Sequence, residues 1–454
     1  MVLRHTCAVD QESSDFGDRR ASRRSKVRCL IVIGTRPEAI KLVPILLALR
    51  SSTLIEPFVV TTGQHRDLVD PVLALAGVTP DADLAIGQPG QTINDVCVAT
   101  IKGIDQLLVD FRGGPERRSR PRMGTSANVA ERQFPGFVVV HGDTTSAFAA
   151  GLASIQARLP VIHLEAGLRT GNRNSPFPEE LNRTLLSCIA SLHLSPTSEN
   201  RDSLVAEGID PDTIFVTGNT GVDALKWASS LDLPWPDPRL EGLDDGREIV
   251  VVTAHRRENW GAGLQGIAEG VRRVAVARPD VTFVLPMHPN PRVRAYLQPP
   301  LEVLPNVILT DALDYVTFAR LLKIAKLAIT DSGGIQEEGP SVGTPVLVTR
   351  DTTERAEGVI AGTLKMVGTN PDVIAAEALT LLNDSEAYAR MQGAMNPFGD
   401  GFAAERIVQA FEHLIFNGPA PQQFGAAFNR ESVLKDAGYA FESNEAILAG
   451  DRVS

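Results

Sequence analysis

Short apolar runs alternate with helix-length amphipathic stretches along most of this chain, and the alternation limits its possible folds more than any other feature. VRCLIVIG (27–34) precedes a helical stretch opened by Pro37, and EPFVV (56–60) precedes another. Strands separated by helices form right-handed βαβ units, which build a parallel sheet. The pattern restarts after Gly218 with EIVVVTAH and VTFVLPMH. The sequence therefore predicts an α/β protein of two Rossmann-like, doubly wound domains that face each other across a cleft.

The same pattern predicts where the chain is divided, and three segments fall outside it. The predicted parts are a disordered N-terminal tail (1–26), an N-terminal domain (27–218) with an exposed basic loop insertion (112–134), a C-terminal domain (219–397), a helix that returns to the N-terminal domain (398–416), and a C-terminal extension (417–454). The tail, loop and extension are aperiodic or mixed in composition, which is typical of flexible appendages. Contact between the basic loop and nucleic acid or another anionic partner is the alternative.

Composition excludes several classes of protein. The 454 residues are 43% apolar, enough for the cores of two or three domains. A net charge of −11 gives no support for general nucleic-acid binding. The four cysteines lack CxxC spacing, so neither a zinc site nor a disulfide framework is indicated. No apolar run reaches the ~20 residues that span a bilayer, and no secretory signal precedes Val27, so we expect a cytoplasmic protein without membrane, nucleic-acid or metal partners.

Polar side chains, four of them acidic, follow two consecutive strand-like runs between Val138 and Arg183. They are His141, Gly142 and Asp143 after the first run, His163 and Glu165 at the second, and Glu179 and Glu180 after a proline-marked loop. Carboxyl ends of adjacent parallel strands meet in one crevice, where ligands bind. Taken alone, Asp143 could be a helix N-cap and Glu180 a solvated helix residue. Together these acids favour proton-transfer chemistry, which requires burial or mutual repulsion to raise their pKa values from ~4.

GTRPEAIK (34–41), after the first strand, has the composition of an anion site. Pro37 suits the first turn of a helix, and Arg36 and Lys41 would lie near its positively polarised N-terminus. An ordinary strand-to-helix turn with a surface arginine is the alternative. This motif is not the GxGxxG dinucleotide fingerprint, and the sequence contains no Walker A motif, so no redox cofactor is indicated.

A second turn of this kind is TDSGGIQEE, which begins at Thr330. The hydroxyl of Ser332 and the closely approachable backbone N–H groups of Gly333 and Gly334 would suit a diphosphate. Glu338, about one helical turn further, could accept hydrogen bonds from ribose hydroxyls. A helix cap with solvated glutamates is the alternative. The two turns together predict a nucleotide-diphosphate ligand.

His255 and His288 end the first two strand-like runs of the second half and should face the cleft. A lone histidine is more often a packed or capping residue than a catalyst. Two histidines at consecutive strand exits, out of only eight in the chain, shift the balance modestly toward function.

From about Val27 to Phe416 the chain resembles the non-hydrolysing UDP-N-acetylglucosamine 2-epimerases, which have the GT-B fold of two Rossmann-like domains. The matching segments, in order, are GTRPEAIKLVP, TGQH, HGDTTSAFA, HLEAGLRTGN, SPFPEELNR, SPT, TGNTGVDAL, TAHRRENWG, MHPNP, TDSGGIQEE, PVLVTRDTTER, AGT and NPFGDG. The tail, the 112–134 loop and the extension have no counterpart in this resemblance.

The resemblance implies a reaction and a set of roles. UDP-GlcNAc and UDP-ManNAc would interconvert at C2 through elimination of UDP and re-addition to 2-acetamidoglucal, supplying ManNAc for a surface polysaccharide without a cofactor. The implied catalytic residues are Asp143, Glu165, Glu179 and His255. The implied substrate-binding residues are Arg36, Lys41, Arg183, His288, Ser332, Gly333, Gly334 and Glu338. Gln64 and His65 match a region that binds a second UDP-GlcNAc in some relatives, and the family commonly forms homodimers.

Other functions remain open from the sequence. A family member could act on a modified sugar such as a 2,3-diacetamido uronate. A GT-B glycosyltransferase would use the same UDP site with an acceptor sugar, but it gives no reason for three carboxylates at these positions. A UDP-sugar sensor is disfavoured because all four implied catalytic residues are present. The hydrolysing, kinase-fused kind of epimerase is disfavoured because only ~40 residues follow the second domain, fewer than the ~50 of a small domain.

Overall fold

The computed structural model describes residues 26–112, 134–353 and 355–425. The predicted N-terminal tail, basic loop insertion and C-terminal extension lie outside the described residues except at their edges. Within the described part of the chain, no helix combines the length and the apolar character that a membrane crossing needs.

The first half of the chain forms a seven-stranded parallel sheet. Its strands are β1 (Val27–Ile33), β2 (Ile55–Thr61), β3 (Ala82–Asp83), β4 (Phe137–His141), β5 (Val161–Leu164), β6 (Leu192–Ser195) and β7 (Ile214–Val216), and their order is β3-β2-β1-β4-β5-β6-β7. Its helices are α1 (Arg36–Ser51), α2 (Arg66–Leu75), α3 (Ile93–Phe111), α4 (Thr145–Gln156), α5 (Glu179–Ile189), α6 (Ser198–Ala206) and α7 (Thr220–Ala228).

The second half forms a six-stranded parallel sheet. Its strands are β8 (Ile249–Thr253), β9 (Thr282–Pro286), β10 (Val307–Thr310), β11 (Leu327–Thr330), β12 (Val346–Val348) and β13 (Leu364–Met366), in the order β10-β9-β8-β11-β12-β13. Its helices are α8 (Ala262–Ala277), α9 (Pro291–Leu301), α10 (Tyr315–Ile324), α11 (Gly333–Ser341), α12 (Ala356–Ile360), α13 (Pro371–Asn383), α14 (Ser385–Gln392) and α15 (Ala403–Phe416). The predicted α/β class with two parallel sheets is confirmed.

Helices cover both faces of the first sheet, and this explains why its strands are apolar without alternation. Ile31 and Ile33 of β1 pack in a core with α1 and α15, whereas Leu30 and Val32 pack in a second core with α3 and α4. Both faces of a parallel sheet are buried in this way, so near-continuous apolar runs such as VRCLIVI are the expected strands. The second sheet likewise has an apolar core on each face. Val250 of β8 packs in one of these cores, and the other core lies on the opposite face.

The chain passes between the two domains twice, at Asn219 and at Phe398. These two connecting segments, here called crossings, lie side by side. The backbone N–H of Asn219, on the first crossing, donates to the carbonyl of Phe398, on the second, over 3.1 Å. Helix α7 then packs against α1 on one side and against α10 and α11 on the other. Beyond the second crossing, α15 packs against α1, and Asp223 of α7 accepts a hydrogen bond from the N–H of Ala404 at its start.

Replacing Phe411 of α15 by alanine should strongly destabilise the first domain. Phe411 is fully buried and meets the ring of Phe137 edge-on, with centroids 5.2 Å apart. Loss of such an aromatic side chain from a core costs about 3–5 kcal/mol. Phe402, at the start of the same helix, is 57% exposed, so Phe402→Ala should change the free energy of unfolding by less than ~0.5 kcal/mol. Urea unfolding measures both; equal midpoints for the two variants would contradict this packing.

Candidate active site

Several of the predicted site residues follow the strands at which strand order reverses in each sheet. In the first sheet this reversal lies between β1 and β4, and the turns that follow these strands hold Arg36 and Asp143. In the second sheet it lies between β8 and β11, and the following turns hold His255 and Ser332. Ligands of doubly wound sheets bind in the crevice at such a reversal. The topology therefore gives each domain one half of a candidate site.

Lys41 is the main charge partner of Glu165. Its Nζ donates to Oε1 of Glu165 over 2.5 Å, and Nδ1 of buried His141 lies 3.4 Å from Oε2. Burial alone would raise the pKa of Glu165, but the Lys41 charge, with smaller contributions from other groups, outweighs it and lowers the pKa to about 2. The Glu165 side chain is 21% exposed. It is therefore an ionised carboxylate that a ligand can reach. The Lys41 charge acts opposite to the raised pKa that the sequence reasoning required of these acids, and a lower pKa makes the carboxylate a weaker base.

The backbone of Glu165 is itself unusual. Its φ of 58° lies in the left-handed region, which residues with a side chain seldom adopt. Such conformations are held by the surrounding structure and cluster at functional sites. Here the conformation turns the chain directly after β5.

Arg183 pairs with two carboxylates instead of lying free in the cleft. Its Nη2 donates to Asp143, and its Nη1 donates to Glu180 over 2.9 Å. The backbone carbonyl of Asp143 also accepts from the side-chain amide of Asn182. Arg183 is only 6% exposed. Arg183 and Asn182 therefore hold Asp143 from two sides. The substrate-binding role implied for Arg183 stays a prediction.

Glu180 is buried, so the alternative that it is a solvated helix residue is wrong. Its side chain is buried, and Oε1 accepts the backbone N–H groups of Thr170 and Gly171 at 3.0 Å each. It therefore ties the loop after β5 to α5. Glu179, the first residue of α5, is half-buried, and its side chain makes no hydrogen bond or ion pair with other described residues. Its carboxylate is thus available, and its catalytic role stays a prediction.

A cavity of about 200 Å³ joins the two domains at the first anion turn. Arg36 from the first domain and Tyr315 from the second both line it, with the apolar side of α2 between them. The Tyr315 hydroxyl is buried and has no hydrogen-bond partner among the described residues. Burial, together with the neighbouring charge of Glu337, raises the pKa of Glu338 to about 7. A buried hydroxyl and a half-buried carboxyl close to an arginine are groups that a polar ligand could satisfy.

Asp331, at the end of β11, organises the turn that holds His255. This fully buried carboxylate accepts the backbone N–H groups of His255 and Arg256 and the side-chain amide of Asn259, at 2.9 to 3.1 Å. Its Oδ1 also lies 3.3 Å from Nδ1 of His255. Burial lowers the pKa of His255, although Asp331 partly opposes this. His255 is therefore neutral near pH 7 and able to exchange a proton.

The rings of His255 and His288 stack, with centroids 5.5 Å apart and planes 7° from parallel. Both histidines therefore lie at the same edge, as their strand positions predicted. Nδ1 of His288 also accepts the backbone N–H of Asn290. The capping alternative thus applies to His288, and its role toward a substrate stays a prediction.

The second anion turn has a cation above it that the sequence reasoning did not assign. A side chain added at Gly333 would meet the Arg355 guanidinium carbon at 2.9 Å, whereas one added at Gly334 would meet nothing within 4 Å. Nε of Arg355 donates to Glu337 over 2.9 Å. The Ser332 hydroxyl makes no capping bond. Together, Ser332, the glycine N–H groups and Arg355 form a site suited to a doubly charged anion.

Gln64 and His65, predicted as regulatory, lie beside α4 and at the surface respectively. Oε1 of Gln64 accepts the hydroxyl of Ser146 over 3.0 Å, and the His65 side chain is exposed. Neither position tests the regulatory role, which stays a prediction.

Three residues at the site had no assigned role, namely His141, Tyr315 and Arg355. Each had a signal in the sequence. His141 immediately precedes Gly142 and Asp143, Tyr315 follows a strand exit, and Arg355 lies in TRDTTER after β12. Their strand-exit positions could have identified them, but the partners of His141 and Arg355, Glu165 and Glu337, lie on other elements.

Comparisons with known proteins agree on one family. The family model described as UDP-N-acetylglucosamine 2-epimerase matches residues 122–412. The UDP-N-acetylglucosamine 2-epimerase of Escherichia coli K12 is 42% identical over 393 residues, which cover 85% of this chain and 99% of that protein.

Solved structures give the same result. The UDP-GlcNAc 2-epimerase of Neisseria meningitidis bound to UDP-GlcNAc is 39% identical with a TM-score of 0.69, covering 85% of this chain and 99% of its own. The Methanocaldococcus jannaschii UDP-GlcNAc 2-epimerase, in complex with UDP-GlcNAc and UDP, is 30% identical with a TM-score of 0.62, covering 85% and 100%. The predicted GT-B arrangement is confirmed by these comparisons and the two parallel sheets.

Replacing Lys41 by methionine should raise the pKa of Glu165 by more than ~1 unit, because burial would no longer be opposed by the adjacent ammonium. In the wild type, the lowered pKa stabilises the fold above the ordinary value of 4.5, and this contribution is lost as pH falls toward about 2. Carbon-13 NMR titration of labelled glutamate carboxyls measures the shift. Lys323→Met removes a lysine that donates to the Ser229 carbonyl and should leave Glu165 unchanged. A Glu165 titration that is identical in Lys41→Met and wild type would contradict this role of Lys41.

Proposed function

Because this chain belongs to the UDP-N-acetylglucosamine 2-epimerase family, we propose that it inverts C2 of UDP-GlcNAc to give UDP-ManNAc, and the reverse, without hydrolysing the nucleotide sugar. One observation carries the proposal. The carboxylates Asp143 and Glu165 lie on one domain, and the anion turn at Ser332 lies at the matching edge of the other. A substrate that spans the cleft would present its sugar to the acids and its diphosphate to the turn.

The chemistry requires both halves at once. The C2 hydrogen is not acidic by itself. When the C1–O bond breaks, its electron pair leaves with UDP and positive charge develops at C1, so a carboxylate can take the C2 proton. The C2–H electron pair then forms the C1–C2 double bond of 2-acetamidoglucal. Protonation at C2 on the opposite face and return of the UDP oxygen to C1 give the epimer.

The leaving diphosphate needs the largest electrostatic stabilisation. In the proposal, Arg36 from the first domain and Arg355, Ser332 and the backbone N–H groups at Gly333 and Gly334 hold it. These donors are fixed before the reaction, so they act most strongly on the charge that develops as UDP departs. Glu338 would hold the ribose hydroxyls, with the buried Tyr315 hydroxyl beside it.

In the proposal, different carboxylates carry out the proton transfers on the two faces of the sugar. Glu165 is ionised and would accept the C2 proton on one face, although its pairing with Lys41 makes it a weaker base in the unliganded protein. Asp143 and Glu179 are the candidates for the other face, and neutral His255 would assist at the leaving oxygen or a sugar hydroxyl. In this scheme the chain's own residues carry every step.

Some wider expectations rest on the sequence pattern and others on the resemblance to the family. A homodimer, a cytoplasmic location, the supply of ManNAc for a surface polysaccharide and the predicted domain bounds stay predictions.

The proposal is tested by proton NMR of the purified protein with UDP-GlcNAc in deuterated water, without acceptor sugar. We expect UDP-ManNAc to appear with deuterium at C2, because the proton taken from one face is replaced from a solvent-exchanged group on the other. Glu165→Gln should slow this turnover by ~100-fold or more while UDP still binds, because the general base is lost. Glu241→Gln, an exposed glutamate away from the site, is the matched control.

Three outcomes would count against the proposal. An unchanged wild-type spectrum, with UDP binding measured separately, would favour a modified UDP-sugar or glycosyl transfer as the activity. Free GlcNAc or ManNAc as the product would indicate hydrolysis. Near-normal turnover in Glu165→Gln would remove Glu165 from the reaction.

A further inference from the structure

One buried carboxylate close to the site has no part in the proposed reaction. Glu38 of α1 is 3% exposed, and hydrogen-bond donors surround its carboxylate. Its Oε2 accepts the backbone N–H groups of Gly34 and Thr35, at 2.9 and 2.5 Å. Its Oε1 accepts the hydroxyl of Thr144 over 2.7 Å. Burial raises the pKa of Glu38 to about 7, so removing this charge from water has a real cost.

The donors to Glu38 come from two different turns. Gly34 and Thr35 belong to the turn after β1, next to Arg36. Thr144 belongs to the turn after β4, next to Asp143, and its hydroxyl oxygen also caps α4 by accepting the N–H of Ala147. Glu38 is therefore the side chain that joins the turn of Arg36 to the turn of Asp143.

Close packing shows that the spacing between these turns is narrow. A side chain at Gly34 would place its first carbon 2.5 Å from the Cβ of Ser146 and 3.1 Å from Oε2 of Glu38. Glycine is therefore required for this approach of the β1–α1 turn to the start of α4. The two turns meet directly, and the Glu38 bonds hold them at that separation.

We propose that Glu38 is a positioning residue that fixes the Arg36 turn and the Asp143 turn relative to each other. This role rests on the proposed function, in which Arg36 holds the leaving diphosphate and Asp143 serves proton transfer at C2. Both events belong to one elimination, so an error in their spacing affects the transition state. Binding of UDP alone uses Arg36 and the second domain, and it does not depend on where Asp143 lies.

Side-chain chemistry predicts which substitutions keep the link. Glutamine has one acceptor oxygen for the Gly34 and Thr35 N–H groups, and its NH₂ can donate to the Thr144 hydroxyl oxygen. Alanine has neither. Thr144→Val removes the link from the other side but also removes a helix cap. Thr197→Val is the matched control for the cap, because Thr197 caps α6 in the same way and its hydroxyl donates to Asn200 instead of to a glutamate.

The test measures kcat, KM and UDP affinity for Glu38→Ala, Glu38→Gln, Thr144→Val and Thr197→Val, with folding checked by circular dichroism. We expect kcat to fall ~10-fold or more in Glu38→Ala and Thr144→Val, with the UDP dissociation constant within about threefold of wild type. Glu38→Gln should recover most of the activity. Thr197→Val should keep wild-type kcat.

The results that would contradict the proposed function differ from those that would contradict the positioning role alone. An inactive wild type would overturn the proposed function and this role with it. An active wild type overturns the positioning role alone if kcat in Glu38→Ala and Thr144→Val matches that of Thr197→Val. The role is also overturned if UDP affinity falls in proportion to kcat, or if glutamine is as harmful as alanine.

Discussion

A carboxylate withdrawn from water must be compensated by hydrogen bonds or opposite charge, and the first domain meets this requirement several times along one sheet edge. Glu165 is compensated by Lys41, and Glu180 by Arg183 and two backbone N–H groups. Glu38 is compensated by N–H and hydroxyl groups alone. The partners come from different turns, so satisfying the charges also sets the geometry of the turns. The acids of the site are held in place by the same bonds that make their burial possible.

The two domains supply opposite kinds of chemistry. The first domain contributes an ionised carboxylate with its cation, and the second contributes a turn with a serine hydroxyl that makes no capping bond, two glycines and Arg355. A reaction in which a proton is removed while an anion departs needs a base and an anion site on opposite sides of the substrate. Helix α7 and the paired crossings lie between these halves. In the proposed reaction, the cleft lets the two kinds of group act on one ligand.

Sequence reasoning predicted the elements and the positions of the site better than it predicted the partners. Strand exits identified Asp143, Glu165, His255 and the Ser332 turn, because parallel topology places every strand's carboxyl end at one edge. It did not predict that Arg183 would pair with Asp143 and Glu180, or that Glu337 would hold Arg355. These pairings depend on which loops meet in three dimensions, and local pattern carries no information about that choice. Glu180 shows the limit well, since nothing in PEELNR distinguishes a buried glutamate from a solvated one.

The central claim is that C2 is inverted through cleavage of the bond between C1 and the diphosphate. Positional isotope exchange tests it most directly, with UDP-GlcNAc that has oxygen-18 in the C1–O–P bridge and phosphorus-31 NMR to locate the label. If the bond breaks and reforms, the β-phosphate can rotate before it returns, and the label should spread to the non-bridging β-phosphate positions as epimerisation proceeds. Full epimerisation with all of the label still in the bridge would contradict the account.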